Sequence, residues 1–195
     1  MPAGVSEPAY LFSQLKAIEG ANGEVTLQLA YLFLWIYFPN CYVILMSKRE
    51  WGEVVKIAVV DGQGGGIGRI IVEKLRQELG NSCHIIGLGT NAIAVSLMLK
   101  AGANEGASGE NAVIHCASRV DVIAGSVAIV AAHSFLGELT PAMAEAIASG
   151  DAIKVLIPLN RYNLEISGVV DEPLPLQVNH LVARVRQIYD SRKLR

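Results

Sequence analysis

Charge is scarce at the amino-terminal end of this 195-residue chain, and basic charge is nearly absent there. Residues 1–45 carry one basic residue, Lys16, and three acidic ones, whereas Met46 onward carries 15 of each sign. Val25 to Ser47 has no charged residue at all. Cysteine is also sparse. Cys41, Cys83 and Cys116 are odd in number and show no repeated spacing, which argues against a disulfide framework and fits a reducing cytoplasm. No C-x-x-C or H-x-x-x-H spacing exists, and Cys83-His84 and His115-Cys116 are adjacent pairs whose side chains diverge on a strand. They read as ordinary core and strand-edge residues, and no metal is expected. With a formal net charge of −2 and no basic cluster, nucleic acid is not expected as a partner.

What is present divides the chain. Eight of the twelve aromatic residues lie in the first 45 positions, around LQLAYLFLWIYFPNCYVIL. An uncharged run of this length is a membrane-span candidate, and Lys48-Arg49 after it would leave the rest in the cytoplasm. Pro39-Asn40 interrupts the run, and a secretory signal's charged start and cleavage site are missing. Three readings of residues 1–45 stand: an upstream extension of a frame that truly opens at Met46, a membrane anchor, or a soluble structured extension. A membrane is a partner only if residues 25–47 are real and inserted.

From residue 54 the chain alternates apolar β-branched runs with amphipathic ones. Val54 to Val60 predicts a buried strand. Ile67, Ile70, Ile71, Leu75 and Leu79 form a helical stripe that ends at Gly80-Asn81. Cys83 to Leu88 is a second strand, and Thr90 or Asn91 caps a helix over Ala92 to Lys100. Gly109 to Ser118 is a short helix or a strand, and Glu110-Asn111 suits a helix start. Val120 to Ser126 is a strand, Val127 to Phe135 a nearly all-buried helix, and Thr140-Pro141 the start of another. Ile153 to Ile157 is a strand, a short strand is expected near Leu164 to Val169, and Leu176 to Ser191 is a closing helix. Such alternation predicts an α/β fold of the three-layer, doubly wound kind, with a mainly parallel sheet over 54–170 as one Rossmann-like domain. Residues 171–195 would be a helix packed on it or extending it. The apolar face of Val127 to Phe135 also allows a homo-oligomer.

In such folds ligands bind at the strand carboxyl edge. Here each strand runs into glycine or polar residues: Asp61-Gly62-Gln63, Gly89-Thr90-Asn91, Gly125-Ser126 and Asn160-Arg161. The segment DGQGGGIG does not meet G-x-G-x-x-G, since Ile67 stands where the third glycine would be. It does fit Gly62-x-x-x-Gly66-Ile67-Gly68, which resembles the loop of the short-chain dehydrogenases over the loop alone. Glycine admits a close backbone approach to phosphate, and the following helix offers free N–H groups. Asp61, Gly62, Gln63, Gly64, Gly65, Gly66, Ile67 and Gly68 are therefore candidate phosphate-binding residues, with Gly89, Thr90, Asn91, Ser126, Asn160 and Arg161 along the same rim. The competing reading is a tight turn and nothing more.

Two expected parts are missing. The acid that binds ribose at the end of the second strand has no counterpart in Gly87-Leu88-Gly89-Thr90-Asn91, which disfavours plain NAD. Thr90 and Asn91 are left to face the ribose or a phosphate. The one Tyr-x-x-x-Lys match, Tyr189 to Lys193, falls too late to be a catalytic pair. Asp61 either holds a phosphate's metal or a hydroxyl, or bonds the loop's own N–H groups. His133 and Glu138 are a candidate acid–base pair. Arg161, with Asn160 and Asn163, suits an anion.

Taken together, DGQGGGIG, GLGTNAIA, MLKAGA, GENA, GELTPAMAEAI and IPLNR resemble the bacterial family filed as domain of unknown function 3842, over about Val54 to Val170. The resemblance implies a small, cytoplasmic, Rossmann-like protein that begins near the first strand. That family carries no established activity, so it transfers no catalytic residue. Three functions follow as expectations: an NAD(P)-dependent oxidoreductase, a non-catalytic nucleotide-sensing or protein-interaction module, or an enzyme of phosphosugars or acyl phosphates using Asp61, His133 and Arg161. All three take a small phosphorylated ligand.

Overall fold

The computed structural model describes residues 54–159, 164–170 and 172–193, all within the unit Trp51–Arg195. The readings of residues 1–45, including the span at 25–47, and those placed on Asn160, Arg161 and Asn163, lie outside the described residues. Among the described residues no helix is long and apolar enough to cross a membrane.

The elements are β1 (Lys56–Asp61), α1 (Gly66–Leu79), β2 (His84–Gly89), α2 (Ala92–Lys100), β3 (Glu105–Ser108), α3 (Glu110–Ala117), β4 (Val122–Ser126), a 3-10 turn (Val127–Val130), α4 (Pro141–Ser149), β5 (Ile153–Ile157) and α5 (Leu174–Lys193). The five strands form one parallel sheet in the order β3-β2-β1-β4-β5. This is a three-layer α/β, Rossmann-like architecture. β1 lies at the centre, its Ala58 and Val60 level with Ile86 and Leu88 on one side and with Ile123 and Gly125 on the other.

Alternation along β1 decides the two cores. Ile57 and Val59 pack with Ile71 and Leu75 of α1, Met98 of α2, and Val178, Leu181 and Val185 of α5. Ala58 and Val60 pack with Val113 of α3 and with Met143 and Ile147 of α4. The helices start as the sequence directs. Asn91 Oδ1 accepts from the Ala94 N–H at 3.0 Å, and Thr140 Oγ1 accepts from the Met143 N–H at 3.2 Å.

Two expectations are corrected. Val127 to Phe135 is not a helix. One 3-10 turn covers Val127–Val130, and the chain then turns sharply, with His133, Phe135 and Leu136 all at positive φ. Apolar composition there reflects burial of Ala128, Ile129 and Phe135 against the sheet, not a helical period, and the helical face that suggested an oligomer does not form. No strand forms at 164–170, where most side chains are exposed. The segment Glu105–Ser108 is the edge strand β3.

Candidate functional site

All five strands run parallel, so their carboxyl ends lie at one edge of the sheet. The chain leaves β1 toward β2 on one side and returns to β4 on the other, so the topological switch point lies between the ends of β1 and β4. Asp61 ends β1 and Ser126 ends β4, both buried. The glycine loop joins Asp61 to the amino end of α1.

Inside the loop, the Gly65 N–H donates to the Gly62 carbonyl at 2.9 Å, closing a turn. Gly65 then caps α1 in the left-handed region, at φ 65°. The Asp61 carboxylate turns back under the loop. It accepts from the Gly62 N–H at 2.8 Å and from the Gly68 N–H at 2.6 Å. Burial pushes its carboxyl above the ordinary aspartate value, against the pull of the Gly68, Gly62 and Ile67 N–H groups. Asp61 thus bonds the loop's own amides, as one of its two candidate roles requires.

The glycines fall into two groups. A Cβ on Gly62 would lie 2.7 Å from Thr90 Oγ1 and 2.8 Å from the Phe135 ring, and one on Gly68 would lie 2.8 Å from both Asp61 Cβ and Met98 Sδ. Gly65 combines positive φ with a backbone neighbour, Ala94 Cα, at 2.5 Å. These three are required by packing alone. Gly64 and Gly66 are exposed, and a Cβ on either would meet nothing. Among the described residues, none accepts a hydrogen bond from the N–H of Gly64 or of Gly66.

The end of β2 supplies the second half of the rim. The Thr90 N–H donates to the Asp61 carbonyl at 3.1 Å, which ties the two strand ends together. Gly89 must be small, since a Cβ would lie 2.6 Å from Val95. Asn91 caps α2 and also donates from Nδ2 to the Gln63 carbonyl at 2.9 Å. Asn91→Ala removes the cap and this link, and is expected to cost about 1–2 kcal/mol in urea denaturation.

The residue that sequence reasoning misplaced is Glu138. Its carboxylate reaches the end of β2 from the loop that follows β4. Oε2 accepts from the Gln63 N–H at 2.9 Å, from Asn91 Nδ2 at 2.9 Å and from the Thr90 hydroxyl. The Thr90 hydroxyl, with the Gln63 N–H and the Asn91 amide, holds its carboxyl below the ordinary glutamate value. The expected pairing with His133 is not what occupies it. His133 is exposed at φ 64°, and its backbone N–H donates to the Leu139 carbonyl at 2.8 Å. The loop itself is a compact knot. The Leu139 N–H donates to the Ser134 carbonyl at 3.1 Å, and Phe135 wedges its ring against Gly62.

A concavity of about 390 Å³ lies away from this rim, between the carboxyl half of β5 and α5. Gln177, His180, Arg184 and Glu172 line it among apolar residues, and none of the described glycine-loop residues does. Among the described residues, no group of three or more histidine, cysteine or acidic side chains could hold a metal ion.

The sequence matches a family model described as "Domain of unknown function (DUF3842)" over residues 56–190. No curated protein matches the chain.

Proposed function

The chain belongs to the family described as domain of unknown function (DUF3842), and from that premise we propose that it binds a nucleotide or dinucleotide through its phosphates at the carboxyl edge of the sheet. One observation carries this reading. Gly64 and Gly66 have no packing reason to be glycine, yet they flank the amino end of α1 with open space in front of them. A phosphate needs that combination of unobstructed backbone, unclaimed N–H groups and positive helix end. The switch-point position of the loop agrees with it.

The first probes are NADH, NADPH, ATP and common phosphosugars, titrated into the full chain by calorimetry. Gly66 is not at positive φ, so Gly66→Val puts a branched side chain over the loop without straining the backbone. The variant is expected to melt like the parent and to bind the same ligand at least about tenfold more weakly, the loss of about one charge-assisted hydrogen bond. Undiminished binding by Gly66→Val would sink the phosphate cradle. Hydride turnover with bound nicotinamide would select an oxidoreductase. Binding without turnover would select a sensing or interaction module.

A further inference from the structure

Resting on that phosphate-binding reading, we propose that Glu138 is the acceptor for the ribose hydroxyls of the bound nucleotide, so that the site takes an unphosphorylated ribose and rejects a 2′-phosphate. Dinucleotide folds place an acid at the end of the second strand to bind the ribose hydroxyls. This chain has no acid in that stretch, where Gly89, Thr90 and Asn91 stand. The fold supplies one from elsewhere. Glu138 is 48 residues from Thr90 and 47 from Asn91 in sequence, yet its carboxylate bonds both.

The geometry is that of an oriented acceptor. All three donors converge on one oxygen, Oε2. Among the described residues nothing donates to Oε1, and the side chain is exposed. A carboxylate anchored by one oxygen presents the other at little further entropy cost. Because one anchor is the Gln63 N–H, the carboxylate borders the glycine loop on the side of β2, where a ribose joined to a loop-bound phosphate would lie. In a nucleotide the group joined to the phosphate is the ribose. A hydroxyl can donate to the open oxygen, whereas a 2′-phosphate would bring like charge against it.

The supporting loop is built at a cost. His133, Phe135 and Leu136 are non-glycine residues at positive φ within four positions, and Gln63 across the rim is the fourth such residue described. Backbone strain of this kind persists where surrounding structure over-determines it, and it clusters at ligand clamps. Here it aims Glu138 at the end of β2.

The test is calorimetric titration of the full chain with ADP, 2′,3′-dideoxy-ADP and ADP carrying a 2′-phosphate, repeated on Glu138→Gln and Glu138→Ala. Wild type is expected to bind ADP at least about tenfold more tightly than either analogue. In both variants ADP and the dideoxy analogue should come within about threefold, and Glu138→Gln should regain affinity for the 2′-phosphate. Equal binding of ADP and its dideoxy analogue by wild type would overturn the proposal without any variant. So would full discrimination retained in both variants, with nucleotide binding itself left standing. Failure of wild type to bind these nucleotides or any of the first probes would instead remove the phosphate reading, and this proposal with it. Since Glu138 is exposed, both variants are expected to fold, and a thermal melt checks each.

Discussion

Gly65→Val is expected to lower stability by about 4 kcal/mol, close to the largest loss a single substitution causes. Two costs add. A β-branched residue at φ 65° is forced into the left-handed region, about 1–2 kcal/mol or more. Its Cβ would also stand 2.5 Å from Ala94 Cα, a backbone atom that cannot rotate aside, so α1 and α2 must separate by displacing the start of one of them. Overpacking of that kind costs about 1–3 kcal/mol. Gly64→Ala and Gly66→Ala are the controls. Neither residue has positive φ and neither Cβ meets a neighbour, so both variants should stay within about 0.5 kcal/mol of the parent or slightly exceed it. Urea midpoints at unchanged slope read the difference. If Gly65→Val melted with these controls, the division of the loop into packing glycines and ligand-facing glycines would be wrong.

That division explains how much of the site was legible in the sequence. Spacing favoured Gly62, Gly66 and Gly68, because it compares a loop with other loops. It could not see Phe135 against Gly62, or Ala94 against Gly65, since those contacts come from residues far along the chain. The strands β1, β2, β4 and β5 were legible for a simple reason. β1 from Ile57 onward and β4 are buried throughout, and β2 and the edge strand β5 still keep buried apolar residues, Ile85 and Leu88 in one and Val155 and Ile157 in the other. β3 was not, because its Glu105, Gly106 and Ser108 are exposed at the sheet edge and carry no hydrophobic signal. The helix expected over Val127 to Phe135 failed on the same principle in reverse. Its apolar residues are buried by β4 and α4 whatever their own backbone does. Glu138 was read as the partner of His133 because it was near in sequence. The only clue to its real place was an absence, the missing acid after β2, and an absence does not say which distant residue fills it.

Asp61→Ala is expected to cost about 3 kcal/mol, and its pH dependence is the sharper result. The carboxylate satisfies the N–H groups of Gly62 and Gly68, both in buried residues, and orphaning each costs about 1–3 kcal/mol. Removing a charge that burial disfavours returns part of that. Because the folded protein raises the Asp61 carboxyl above the ordinary value, it binds that proton more tightly than the unfolded chain does. The stabilisation from this group is then complete below the unfolded aspartate value, near pH 4, and is lost as pH rises through the higher folded value. The gap between wild type and Asp61→Ala should therefore widen as pH falls from neutral toward about 4. An ionised aspartate serving only as a cap for α1 would show the opposite, a gap that closes on acidification. Urea denaturation of both proteins at several pH values decides between them. A closing gap would mean that the bonds from Gly62 and Gly68 outweigh burial, and that the base of the glycine loop is built around a charge.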